Sequence, residues 1–184
     1  MNREQLKQDI RTHEGVINHL YQDTRGNATI GVGQLVPDAA YARTLPLVHR
    51  DNRQPASGEE IDAEYARVMA EPPAMVASRY RSATELILPD DEIDKVLDQR
   101  VDEFMAGLSR HLPGFEQFPE GAQQALLDMA FNLGVGGLTR KFPKLMRAAK
   151  QQDWQTCAAE CSRRGIGDQR NAATRALFDG ACRA

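Results

Sequence analysis

The sequence predicts an α+β fold, mostly helical, in which a small N-terminal lobe with a β-hairpin is joined by one long helix to a helical C-terminal lobe. Three observations predict it. Apolar residues recur at helical spacing from Leu88 to about His111. A single turn signal, Gly26-Asn27, stands between β-prone pieces at Leu20-Tyr21 and Thr29–Val32. Beyond Pro113-Gly114, every periodic stretch is helical and glycine clusters separate the stretches. With 41% hydrophobic and 27% charged residues over 184 positions, the chain has the balance of an ordinary globular domain and excludes a disordered one.

Taken in order, a first helix runs from about Arg3 to His13, with Leu6 and Ile10 inward and Gly15 standing where a helix C-cap would. The hairpin follows and is read as the one convincing piece of β-structure. From Val36 to about Glu85, Pro37, Pro46, Pro55 and Pro72-Pro73 punctuate the chain. Within that stretch Ser57-Gly58-Glu59-Glu60 has the form of a capping box opening a helix to about Ala70, with a second short helix at Ala74–Ala83. The long helix presents Ile93, Val96, Leu97, Val101, Phe104, Met105 and Leu108. Further helices are expected at Ala122–Leu133, Phe142–Ala149, Trp154–Arg163 and Asn171–Ala181, separated by Gly134–Gly137 and Gly165–Gly167. The expected organisation is one domain over 1–184: an N-lobe at about 1–87 with an insertion at about 36–87, an interlobe helix at about 89–112, and a C-lobe at about 113–184. The crevice between such lobes is where a polymer would lie.

The net charge of −3 is unevenly spread. Residues 51–120 carry 7 Lys and Arg against 16 Asp and Glu, whereas residues 138–184 carry 10 against 4. A basic region beside an acidic one suits an anionic polymer, although a solvated charged surface accounts for most of these residues. Nucleic acid is not expected, because aromatics are only 6% and no groove-reading motif is present. No apolar run approaches the roughly 20 residues of a membrane span, and the start Met1-Asn2-Arg3-Glu4-Gln5 lacks a signal peptide's apolar stretch. Cys157, Cys161 and Cys182 are odd in number and read as small apolar residues rather than a disulfide framework or metal pair; no His lies near them. No metal and no cofactor are expected.

Glu14 closes the first helix, Asp23 lies nine residues on at the hairpin turn, and Thr29 lies six beyond that. A protonated carboxyl in apolar or crowded surroundings and a second carboxylate holding a water can divide acid and base work, with a hydroxyl assisting. On spacing alone, a Glu ending a surface helix and an Asp in a turn are capping and solubility residues.

The larger pattern points further. The run His13-Glu14-Gly15-Val16, followed by Leu20-Tyr21-Gln22-Asp23-Thr24-Arg25-Gly26-Asn27-Ala28-Thr29-Ile30-Gly31-Val32-Gly33, closely resembles the start of the phage-type lysozymes, glycoside hydrolase family 24. Leu88–Val101 resembles the start of that family's interlobe helix. Phe131-Asn132-Leu133-Gly134-Val135-Gly136 is similar to its C-lobe cleft segment, and Asp153-Trp154 and Arg170-Asn171-Ala172 have counterparts there. Matching stretches cover most of the chain outside 36–87. The resemblance implies a lysozyme-like fold and hydrolysis of the β-1,4 bond between N-acetylmuramic acid and N-acetylglucosamine in peptidoglycan. It implies Glu14 as general acid, Asp23 as the carboxylate assisting the water, Thr29 as third catalytic member and Asn132 as a saccharide contact. Arg170 would hold loops at the cleft or contact the substrate; an interhelix salt bridge is the equal alternative.

Two departures matter. Gln34 stands where the family often has His, so a His–carboxylate pair is missing. The insertion of roughly fifty residues at 36–87 exceeds that of compact members and is expected to shape substrate access or dock a partner. His13 is read as a surface residue beside Glu14, and His19, His49 and His111 lack partners at ligand spacing. Trp154, Tyr21 and Phe131 read as core rather than sugar platforms. Two rival functions stay open: a lytic transglycosylase, which needs no water-activating carboxylate, and a non-catalytic peptidoglycan-binding module. The expected protein is a monomer made in the cytoplasm without a signal peptide. It would act in the periplasm as a released endolysin or a delivered antibacterial effector, the latter with an immunity or delivery partner.

Overall fold

The computed structural model describes residues 1–183. They form two compact units, Met1–His13 with Gln99–Ala184, and Glu14–Asp98.

Unit Glu14–Asp98 is built around a three-stranded antiparallel sheet of β1 (Ile17–Gln22), β2 (Ala28–Gly31) and β3 (Gln34–Leu35), in that order. Tyr21 pairs with Thr29 and Gln22 with Ala28, and a bulge interrupts β1 between Ile17 and Tyr21. Gly15 enters the sheet at φ +75°, the left-handed conformation that lets the chain leave the helix before it. A short helix at Ala39–Ala42 is capped by Asp38, whose side chain accepts from the Tyr41 amide.

The expected capping box is present: Ser57 and Glu60 bond reciprocally at the start of Gly58–Ala70. Ile61 and Val68 face inward along this helix. The second expected helix of the insertion is instead one 3-10 segment, Ala77–Ser82, organised around the fully buried Tyr80. The reading of a single β-element is corrected by a second sheet, Val48–His49 antiparallel to Leu86–Ile87. Two-residue strands leave no alternation to detect, and their pairing joins distant positions. Leu20, Ile30, Val36, Val68, Tyr80, Leu88 and Ile93 make this unit's core.

The other unit is helical. Following the short helix Ala39–Ala42 (α2), α3 (Gly58–Ala70) and α4 (Asp90–His111) come α5 (Glu120–Leu133), α6 (Val135–Lys141), α7 (Pro143–Lys150), α8 (Trp154–Glu160) and α9 (Asp168–Ala181). α4 passes from one unit to the other at Asp98–Gln99. The glycine cluster expected to separate helices does so only at Gly134, at φ +70°; α6 begins directly after it. α5 and α9 pack backbone against backbone at Gly121, where a Cβ would stand 2.4 Å from the Leu177 carbonyl oxygen.

The first helix, α1 (Arg3–Glu14), belongs up to His13 with this unit rather than with an N-terminal lobe. Its apolar stripe explains why. Leu6 and Ile10 are buried and line a cavity of about 390 Å³ with Gln124, Asp128, Thr174 and Leu177. Arg3 bonds Asp102 at 2.8 Å, and the Asn2 amide donates to Glu120.

Candidate active site

Asp23, Thr29 and Glu14 lie in the sheet-containing unit, and Asn132 and Arg170 in the helical one. The β1–β2 connection is a tight turn closed by Asp23 N–H to Asn27 O (2.9 Å) and Gly26 N–H to Asp23 O (3.0 Å), with Gly26 at φ +78°. The Asp23 side chain folds back over this turn. Its Oδ1 accepts from the amides of Arg25 (2.8 Å) and Asn27 (2.9 Å), and its Oδ2 from Asn27 Nδ2 (3.1 Å). Partial burial pushes the carboxyl's pKa up. The hydrogen bonds from Asn27 and Arg25, with the charge of Arg25, outweigh that and hold it below the usual range. Asp23 is therefore a carboxylate at neutral pH. Two donors saturate Oδ1, whereas Oδ2 receives one and keeps an acceptor position for a water.

Thr29 is buried, and its hydroxyl donates to Asn27 O at 3.1 Å. The structure thus joins Asp23 and Thr29 through Asn27, a residue that the sequence marked only as part of a turn. Glu14 is the last residue of α1 and is exposed, not enclosed in apolar surroundings as the sequence reading expected of an acid. Gln34, at the position of the missing His, donates instead to the Tyr41 hydroxyl at 2.9 Å.

Asn132 is half-buried near the C-terminal end of α5. Arg170 opens α9, and its Nε and Nη2 both bond Asp128 Oδ1, at 3.0 and 2.8 Å. Asp128 lies one turn before Asn132 on α5 and anchors a buried cluster: Arg163 Nη2 donates to its Oδ2 at 2.6 Å and the Thr174 hydroxyl at 3.0 Å. His13 Nδ1 stands 3.5 Å from Oδ1, although the histidine itself is exposed. Burial pushes the Asp128 pKa up, but the two guanidinium groups prevail and hold it low. The sequence reading missed Asp128, Arg163 and Thr174. A carboxylate in the otherwise apolar run 125–131 of α5 was the available signal, because a buried charge demands partners.

Other residues follow the structural reading. Trp154 is buried edge-on against Phe118, with ring centroids 4.9 Å apart. Phe131 packs on Phe104 at 4.6 Å with the Arg100 guanidinium over its ring. Cys157 and Cys161 are buried free thiols, and burial pushes the Cys157 thiol up to about 12. Buried His19 places Nε2 3.0 Å from Ala77 O, and His49 pairs with Glu60 at 3.2 Å. Among the described residues, no group of three His, Cys, Asp or Glu side chains is arranged to hold a metal ion. Nor is any described helix long and apolar enough to cross a membrane.

The phage lysozyme family model matches residues 11–173, a span that includes Glu14, the Asp23 turn, Thr29, Asn132 and Arg170. No curated protein matches the chain. The sheet-borne carboxylate turn, the mostly helical fold and the match along nearly the whole chain agree: the protein belongs to the phage lysozyme family, whose lysozymes cleave peptidoglycan.

Proposed function

We propose that the protein is an N-acetylmuramidase that hydrolyses the β-1,4 bond between N-acetylmuramic acid and N-acetylglucosamine, with Glu14 as general acid and Asp23 holding the attacking water. The observation that carries this reading is the Asp23 turn. Its three donors keep the carboxylate ionised, leave Oδ2 able to accept from a water, and bring the Thr29 hydroxyl under the same Asn27. Ionisation costs Asp23 basicity, so its role is to orient and polarise the water as the glycosidic bond breaks. Glu14, exposed at the end of α1, protonates the glycosidic oxygen as the bond lengthens. Water delivered by Asp23 rather than a covalent intermediate gives inversion at the anomeric carbon.

Asn132 contributes a saccharide contact from the end of α5. Arg170 acts through Asp128, with its Nε and Nη2 on that carboxylate. The enzyme reaches the wall by release from a lysing cell or by delivery into a target cell. Recovery of a tightly bound immunity protein from producer cells would favour delivery, and its absence would favour release.

Digestion of purified peptidoglycan by wild type, Glu14→Gln and Asp23→Asn, with products identified by mass spectrometry, tests the reading. Reducing-end muropeptides from wild type, reduced about 10²–10⁴-fold in each variant, are expected. Anhydro-sugar ends would replace hydrolysis by a transglycosylase reaction. Intact strands with retained binding would make the chain a binding module.

A further inference from the structure

The turn that carries Asp23 joins two short strands, and an isolated hairpin of that size is marginal in water. Something must hold it. The side chain of Gln22, immediately before Asp23, is buried, and its Oε1 lies 3.7 Å from where a Cβ at Gly26 would stand. Its Nε2 donates to two backbone carbonyls at the C-terminal end of α3, Val68 O at 2.8 Å and Glu71 O at 2.7 Å. Val68 O also accepts from the Glu71 amide at 3.2 Å, so the Gln22 side chain joins an already closed end of α3 to β1.

A second approach lies at Gly26. At Gly26 a Cβ would stand 3.5 Å from Pro73 Cβ, so the turn faces the Pro72-Pro73 segment that follows α3 across a gap of about one methyl group. That segment is itself pinned, because the Tyr80 hydroxyl donates to Pro72 O at 2.7 Å from a fully buried ring. A third tie runs from β1 to the 3-10 segment, where His19 Nε2 lies 3.0 Å from Ala77 O. Each tie joins the hairpin to the stretch between residues 68 and 80, inside the insertion that the compact family pattern lacks.

We infer that the 36–87 insertion is a brace for the catalytic turn, with Gln22 and Pro73 as positioning residues that fix where the Asp23 carboxylate points. The inference rests on the muramidase reading of Asp23. It assigns the insertion a role in the rate of bond cleavage rather than in capture of the glycan.

The test compares wild type, Gln22→Met, Pro73→Gly and Asp23→Asn on purified glycan strands of defined length, at a temperature where circular dichroism shows each variant folded. Gln22→Met keeps the volume and removes both donors; Pro73→Gly removes the ring that faces Gly26 and loosens the segment, and decides the matter if Gln22→Met does not fold. Expected is a fall in kcat of roughly 10- to 100-fold in both positioning variants, the size associated with displacement of a catalytic group by about 1 Å, with KM changed less than about twofold. Faster hydrogen exchange at the Gly26 and Asn27 amides should accompany it, since both bond to Asp23. An unchanged kcat in a folded variant overturns the brace. So does a rise in KM alone, which would make the segment a substrate contact. If wild type cleaves nothing, or Asp23→Asn cleaves as well as wild type, the muramidase reading fails instead, and amide exchange still decides whether the insertion braces the turn.

Discussion

Replacing Asp128 with alanine should cost the helical unit about 3–5 kcal/mol, the penalty for leaving a buried charge without its partner. The magnitude follows from who is stranded. The Arg163 side chain is 1% exposed and the Arg170 side chain 11%, so neither guanidinium can turn to solvent without disturbing α9 or the segment before it. Thr174 loses an acceptor as well, although its hydroxyl also bonds the Arg170 carbonyl at 2.9 Å. For a chain of 184 residues each kcal/mol moves the melting temperature by about 2–4 °C, which puts the expected drop at roughly 6–20 °C. Asp128→Asn, which retains an acceptor, should fall between wild type and alanine. The pH dependence has a definite sign. Because the folded-state pKa of Asp128 lies below its unfolded value, its contribution is present above the ordinary carboxylate range and is lost as pH falls through the folded value. The gap between wild type and Asp128→Ala should therefore be full at pH 7 and narrow below about pH 4. Urea melts followed by circular dichroism at both pH values measure it. A loss under about 1 kcal/mol at pH 7, or a gap that does not narrow in acid, would refute the reasoning.

Asn27→Ala removes the Nδ2 hydrogen bond to Oδ2, one of the interactions that hold the Asp23 pKa down, and keeps the backbone amide, so the acid limb of kcat/KM should move to higher pH, with activity at neutral pH less affected; an unmoved limb would mean that Asp23 does not need its charge. Glu64 is buried with Oε2 accepting from the amides of Glu85 and Leu86, and burial raises its pKa. A raised folded-state value means stability that is full in acid and lost as pH rises, so Glu64→Gln, which does not titrate, should gain on wild type between about pH 4 and pH 8 in chemical denaturation, while Glu64→Ala loses about 1–3 kcal/mol at either pH. Native protein should react rapidly with a thiol reagent at Cys182 alone, because it is exposed while burial keeps Cys157 and Cys161 protonated. Rapid labelling that persists in Cys182→Ser would contradict that burial.

Much of the architecture was legible because local chemistry determined it. The capping box at Ser57–Glu60, the apolar stripe from Ile93 to Leu108 and the Gly26-Asn27 turn depend on neighbours within one helical turn or one hairpin, and the structure has each of them. The run from Glu14 to Gly33 carried the family likeness for the same reason, since one short segment holds both carboxylates and the hydroxyl.

Tertiary packing decided what no local window contains. The second sheet pairs Val48 with Ile87, and two-residue strands carry no period of their own. The first helix has an apolar stripe that would suit any partner, and only the packed chain puts Leu6 and Ile10 with Asp128 and Leu177. The carboxylate that Arg170 binds, Asp128, lies forty-two positions away. Gln22 read as one polar residue beside an aspartate, and its two acceptors lie beyond forty intervening residues. The sequence by itself determined the residue types that chemistry at the turn requires; folding decided which distant groups hold them, because a buried charge or amide takes its partner from whatever the packed chain brings within hydrogen-bond reach.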